Sequence, residues 1–124
     1  VNLILIMKNF LIILIYKIIL LFTFSNVTYA EEKLLMITDK NCIFCIVWEK
    51  EIGKIYPKTD IAKQYPIKRI EIKYFNENIP KGLKKARVTP TFLFIKNDKV
   101  IGEILGYSNP EMFWWRVDEI LEQN

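Results

Sequence analysis

Cys42 and Cys45 stand three positions apart in Asn41-Cys42-Ile43-Phe44-Cys45, and they are the only two cysteines in the chain. At the first turn of a helix this spacing puts both sulfurs on one side, close enough to bridge. Unpaired N–H groups and the helix dipole stabilise an anion there. A thiolate at Cys42 is thereby favoured as the nucleophile. Cys45, one turn deeper, is placed to resolve the resulting mixed disulfide and release the product. Lys40 adds positive potential nearby. Two other uses of the pair stay open. A structural disulfide closes too small a loop here to constrain the unfolded chain much. A zinc ion shared between two chains would need only two cysteines from each.

Other chemistries are excluded by composition. The chain has no histidine, so Ser-His-Asp and Cys-His catalysis and any His-ligated metal are ruled out. Two cysteines cannot form a four-cysteine zinc site within one chain, and no metal or other cofactor is expected beyond the redox-active pair itself. Beyond Lys8 and Lys17, the remaining 16 basic and 14 acidic residues leave a charge of only +2. Lysines and glutamates interleave, as in Glu49-Lys50-Glu51, which reads as a solvated helix face and not a nucleic-acid footprint.

The elements that must position the cysteines can be read from periodicity. Leu34–Thr38 is a short apolar run and reads as a buried strand. Asp39-Lys40-Asn41 is a turn with capping character. Ile43, Val47 and Ile55, with Trp48 and Ile52, recur at helical spacing; they predict an amphipathic helix over 42–56, weakened near its end by Gly53. A helical turn is expected around 60–63. Residues 66–74 alternate and predict a second strand, with Ile70 and Ile72 on one face. The segment 76–87 reads as a loop with one or two helical turns. Thr91–Ile95 and Lys99–Gly106 predict a hairpin turning at Asn97-Asp98. Asn109 and Pro110 open a last helix with a wide apolar stripe. The order is β-α-β, then β-β-α: an α/β domain with a mixed four-stranded sheet and helices on both faces.

A second candidate element is Thr89-Pro90-Thr91, just before a strand expected beside the first. An ordinary loop proline would explain it alone. Joined to the cysteine helix, it reads as a cis Thr89–Pro90 bond that exposes the backbone of Thr89 to an extended substrate beside Cys42. Phe44, between the cysteines at the helix tip, reads as an exposed contact for a protein partner. Trp48 reads as core, and of the adjacent Trp114 and Trp115 at most one can face it.

Residues 1–30 read as an address. Lys8 and Lys17 precede an apolar stretch, and Ala30 stands before Glu31-Glu32-Lys33. This is the pattern of a secretory signal ending at Ala30, with Thr28 as the second small residue. Met7-Lys8-Asn9-Phe10 is a conventional opening for one. Residues 3–24 are also long enough to span a bilayer as an uncleaved anchor, although Lys17 in such a span costs roughly 2.5–3.5 kcal/mol. Both readings export the domain 31–124 to an oxidising compartment, the periplasm. Contact with a membrane is expected only through an uncleaved N-terminal segment.

With these residues in place, the sequence resembles the thioredoxin superfamily from about Leu34 to Glu122. The likeness rests on Cys42-Ile43-Phe44-Cys45 after a strand, Thr89-Pro90-Thr91 before the hairpin, and Gly102 and Gly106 before an amphipathic helix. It is most similar to the periplasmic thioredoxin-like proteins encoded with bacterial sulfur-oxidation genes. Those show a like run in Cys42…Cys45…Trp48…Glu51-Ile52-Gly53 and Tyr56, and a like end in Gly106-Tyr107 and Phe113-Trp114. The resemblance implies a minimal thioredoxin fold and a reductase that maintains a thiol on a carrier protein; a disulfide oxidase or isomerase, and a non-catalytic binding module on the same scaffold, are the alternatives. It implies a protein substrate bearing a thiol or disulfide, and a membrane electron donor or acceptor.

The departures are specific. Thioredoxin has Gly-Pro between its cysteines and Trp before them; this chain has Ile43-Phe44 and Asn41. Met36 stands where thioredoxin buries an aspartate that helps deprotonate the resolving thiol. Glu71, on the neighbouring strand, is the candidate substitute for proton transfer, although such a residue more often faces solvent. Strong oxidases of the superfamily usually carry histidine between the cysteines, which argues against a strong oxidant here. The first strand and helix of full-length thioredoxin are absent.

Overall fold

The run Leu34-Leu35-Met36-Ile37 carries no charge on either face, as a strand covered on both sides requires. In the computed structural model, which describes residues 2–23 and 31–124, it is the core of strand β1 (Lys33–Thr38). The remaining elements follow in order. They are helix α2 (Ile43–Trp48), helix α3 (Asp60–Gln64), strand β2 (Ile67–Glu71), helix α4 (Ile72–Glu77), strand β3 (Thr91–Lys96), strand β4 (Lys99–Leu105) and helix α5 (Pro110–Glu122). Ahead of them, α1 (Asn2–Thr23) is a single apolar helix of 22 residues, long enough to cross a membrane, with no buried residue. The expected cleavage site at Thr28–Ala30 lies outside the described residues.

The sheet order is β2-β1-β3-β4. β1 and β2 are parallel, and β3 is antiparallel to both β1 and β4. The central strands β1 and β3 are buried almost throughout, whereas the edge strands β2 and β4 are largely exposed. This matches their sequences: continuous apolar runs in the middle, Lys68, Arg69 and Lys99 on the edges. Asn97 and Asp98 both have positive φ, 51° and 60°. That is the backbone of a two-residue turn whose twist suits the strands, and it explains the Asn-Asp pair.

The sheet separates two apolar clusters. On one face Leu34, Met36, Phe92 and Phe94 pack with Trp48 and Ile52 and with Phe113 and Val117 of α5. Trp48 is fully buried there, its ring 5.0 Å from Phe92 and 5.6 Å from Phe113. On the other face Leu35, Ile37, Leu93 and Ile95 pack with Phe75 of α4 and Ala86. α5 is capped as its sequence requires: the Asn109 side chain accepts from the Met112 N–H at 2.9 Å, with Pro110 in the first turn. Trp114 stacks on Tyr56, and Trp115 is exposed.

Three expectations need correction. The helix expected over 42–56 is α-helical only to Trp48, then widens into a π turn over Glu49–Gly53. Its buried stripe is Cys45, Trp48, Ile52 and Tyr56, while Ile43, Val47 and Ile55 are exposed. The fully buried side chains of Trp48 and Tyr56 decide which face turns inward, and the smaller aliphatics are left outside. Gly53 belongs to this packing and is buried, because a Cβ there would run into the Glu49 carboxylate and the Trp48 ring. The second strand stops at Glu71, and Ile72–Glu77 is helical. Ile72 and Phe75, three apart, both reach the second cluster as a helix, which alternation beyond Glu71 could not do. The helical turn expected within 76–87 is therefore displaced toward the N-terminus.

Candidate active site

The turn Asp39–Asn41 leaves the end of β1 and places Cys42 at the N-cap of α2. The Cys42 N–H donates to the Asp39 carbonyl at 3.0 Å, and the Asn41 N–H donates to the Asp39 side chain at 3.0 Å. Cys42 has extended backbone (φ −86°, ψ 109°), and its sulfur accepts from the Cys45 N–H at 3.0 Å. Cys42 and Cys45 form a disulfide with Cα atoms 5.2 Å apart, inside the range two cysteines can bridge without moving the backbone. Cys42 is half-buried, and Cys45 is only 2% exposed. The outer sulfur is therefore the accessible one, and it already holds one of the orphan N–H donors of the helix start.

The tip around the pair is apolar. Phe44 is 58% exposed, and Ile43, Ile46 and Val47 stand out beside it. Sequence reasoning singled out Phe44 alone; it assigned Ile43 and Val47 to the core and gave Ile46 no role. Lys40 is exposed in the preceding turn.

Strand register places the second element. Ile37 of β1 faces Thr91 of β3, so Thr89-Pro90 emerges at the same end of the sheet from which the Cys42 turn departs. The Thr89–Pro90 bond is cis. Pro90 is buried and Thr89 half-buried. The Gly106 N–H donates to the Pro90 carbonyl at 2.7 Å, with Gly106 at φ 77°, a conformation that favours glycine. One residue on, the Tyr107 phenol donates to the Glu51 carboxylate at 2.5 Å. This connection was not anticipated from sequence, although Glu51 and Tyr107 both belong to the resemblance described above. Burial pushes the Tyr107 phenol above the ordinary tyrosine range, and the bond to Glu51 and its negative charge push it further. Burial does the same to Tyr56, whose hydroxyl donates to the Tyr65 carbonyl at 2.7 Å.

Glu71 pairs in register with Thr38 at the same end of the sheet. It is exposed and makes no capping bond to α4. Two positions earlier, Arg69 makes a two-pronged pair with Glu49, at 2.5 and 2.9 Å, and its guanidinium lies 6.0 Å from the Trp48 ring centre. Met36, the register partner of Arg69, is fully buried. The sheet beneath the cysteine helix is thus apolar where the resemblance would place an acid.

A bridged cysteine pair at a helix tip, with one sulfur reachable and an apolar surround, is the arrangement that thiol–disulfide exchange uses. The model of the thioredoxin-like domain family matches residues 27–121, and the chain belongs to that family. Among solved structures it is similar to the periplasmic thioredoxin SoxS from Paracoccus pantotrophus in its reduced form. The identity is 30%, the match covers 75% of this chain and 98% of that one, and the TM-score is 0.66. No curated protein matches at the level of sequence. Family, bridge and neighbour together support a thiol–disulfide oxidoreductase, and the neighbour and the apolar α1 are compatible with export to the periplasm.

Proposed function

We propose that this chain reduces a disulfide on a partner protein in the periplasm, with Cys42 as nucleophile and Cys45 as resolving thiol. The observation that carries the reading is the asymmetry of the bridged pair at the tip of α2: the outer sulfur accepts the Cys45 N–H, and the inner one is 2% exposed. In the dithiol form that N–H stabilises a thiolate at Cys42. The thiolate attacks one sulfur of the partner disulfide, a Cys42–partner bond forms, and the other partner sulfur leaves with the electron pair and takes a proton. Cys45 then loses its proton and attacks the Cys42 sulfur, and the second partner thiol departs. The Cys42–Cys45 disulfide remains, two electrons have moved to the partner, and a membrane electron donor must return them. No metal or further cofactor takes part.

Phe44, with Ile43, Ile46 and Val47, supplies the apolar contact that selects a protein substrate. The backbone at Thr89-Pro90 lies at the same end of the sheet, where an extended partner segment can pair beside Cys42. Glu71 is the carboxylate available at that end for proton transfer from Cys45, acting through water. Segment 1–30 delivers the domain across the membrane, as a cleaved signal or as a retained anchor.

The test is trapping. Cys45→Ser should hold a partner as a mixed disulfide on Cys42, released by added dithiol, and Cys42→Ser should trap nothing and reduce nothing. Full disulfide reduction by Cys42→Ser would overturn the assignment.

A further inference from the structure

The face of the sheet away from α2 is only partly covered. Beside Ala86 and Leu83 it leaves an open groove of about 470 Å³ between β3–β4 and the 82–88 segment. Its apolar lining includes Val88, Val100 and Leu105, which are 44%, 38% and 62% exposed.

The rim is basic. Lys84, Lys85 and Arg87 line the groove and are exposed, and none joins an ion pair among the described residues. Glu103 is the one acidic lining residue. The segment carrying these cations is fixed in place: the Asn76 side chain donates to the Ala86 carbonyl at 3.0 Å and accepts from the Ala86 N–H at 2.8 Å. Three exposed cations, on a segment anchored at Ala86 beside an apolar trough, complement an apolar side chain flanked by carboxylates. The groove also adjoins the Thr89-Pro90 loop in the chain. Val88 and Thr91 line it and bracket Thr89-Pro90. An extended chain passing Thr89 reaches the groove within a few residues, at roughly 3.3 Å per residue.

We propose that this groove is the specificity site for the partner protein, and that it takes an extended acidic segment with one apolar anchor lying next to the disulfide to be reduced. The inference rests on the reductase reading and adds the chemical class of its substrate.

The test uses the full chain in neutral detergent, reduced beforehand, and symmetric peptide disulfides made from two copies of one single-cysteine peptide. One peptide carries leucine and two carboxylates beyond its cysteine, a second carries leucine and two lysines, and a third has serine in place of leucine in the acidic peptide. The acidic leucine disulfide should be reduced about tenfold faster than the basic one at low salt, with the difference collapsing in about 1 M salt. The triple variant Lys84→Glu, Lys85→Glu, Arg87→Glu should invert the charge preference. Leu105→Asn should remove the leucine preference alone. Both should reduce a small neutral dialkyl disulfide at the wild-type rate, which shows that the fold and the sulfur chemistry are intact. Equal rates on the acidic and basic peptides, or a preference untouched by the triple variant, would overturn the proposal. Failure of the wild type to reduce even the small disulfide would instead overturn the underlying reductase reading.

Discussion

Tyr107 and Glu51, 56 residues apart, are joined by a hydrogen bond of 2.5 Å from phenol to carboxylate. The preceding residue, Gly106, holds the Pro90 carbonyl. The β4–α5 turn therefore connects both parts of the candidate site: one bond reaches the helical segment that starts at Cys42, the other the proline loop. Tyr107→Phe removes the first bond and leaves an exposed carboxylate that water can serve. It should lower stability by about 1 kcal/mol, or about 4–8 °C in Tm for a domain of this size. Urea denaturation of oxidised wild type and variant would measure it; identical midpoints would mean that the bond stabilises nothing.

Tyr107 and Tyr56, two of the three tyrosines whose phenols burial pushes up, give a pH signature. Tyr107 and Tyr56 keep their protons in the folded state beyond the ordinary value of 10.0. The unfolded chain releases them near that value, so above it the unfolded state binds fewer protons than the folded one. Stability from these groups is fully present below pH 10 and falls as pH rises further, by up to about 1.4 kcal/mol per pH unit for each tyrosine. Denaturation between pH 8 and 11 should show the fall. Tyr107→Phe should make it shallower, and an unchanged slope would show that the phenol is not held protonated.

Arg69 bridges the edge strand and the π turn through Glu49, and both side chains keep about two-fifths of their surface exposed. Such a pair contributes at most about 1 kcal/mol. Arg69→Ala should cost that or less, but it should also uncover one side of Trp48 and red-shift part of the tryptophan emission. Arg69→Lys should recover less than half of the loss, since an ammonium cannot make the two-pronged contact. Full rescue by lysine would count against the bidentate geometry.

What could be read from sequence divides along physical lines. β1 and β3 were legible because burial on both faces leaves an uninterrupted apolar run, and the hairpin was legible from Asn97-Asp98. The cysteine pair was legible from its spacing after a strand, and the cis Thr89–Pro90 bond only in combination with it, since a loop proline alone would explain those residues. The face of the cysteine helix was not. Ile43, Val47 and Ile55 keep helical spacing as well as Trp48 and Ile52 do, and periodicity alone cannot tell which stripe the sheet will take. The π turn was hidden for the same reason, since it shifts helical phase without a marker residue. Nor could Glu51–Tyr107 or Arg69–Glu49 be read, because charged and phenolic side chains scattered along a chain do not announce partners twenty or more residues away.

The exposed tip makes its own prediction. Phe44 is 58% exposed, so Phe44→Ser should leave stability within about 0.5 kcal/mol. It should raise KM for a protein disulfide several-fold while leaving reduction of a small dialkyl disulfide unchanged. Equal loss on both substrates would assign Phe44 to the sulfur chemistry and not to docking.

The most direct test of the reductase reading is the reduction potential of the Cys42–Cys45 pair. The full chain would be equilibrated in dithiol and glutathione buffers and its alkylated thiols counted by mass spectrometry. The reductase reading predicts a value near or below about −250 mV, as in a reducing thioredoxin. A value above about −150 mV would make the pair a disulfide donor and contradict the account.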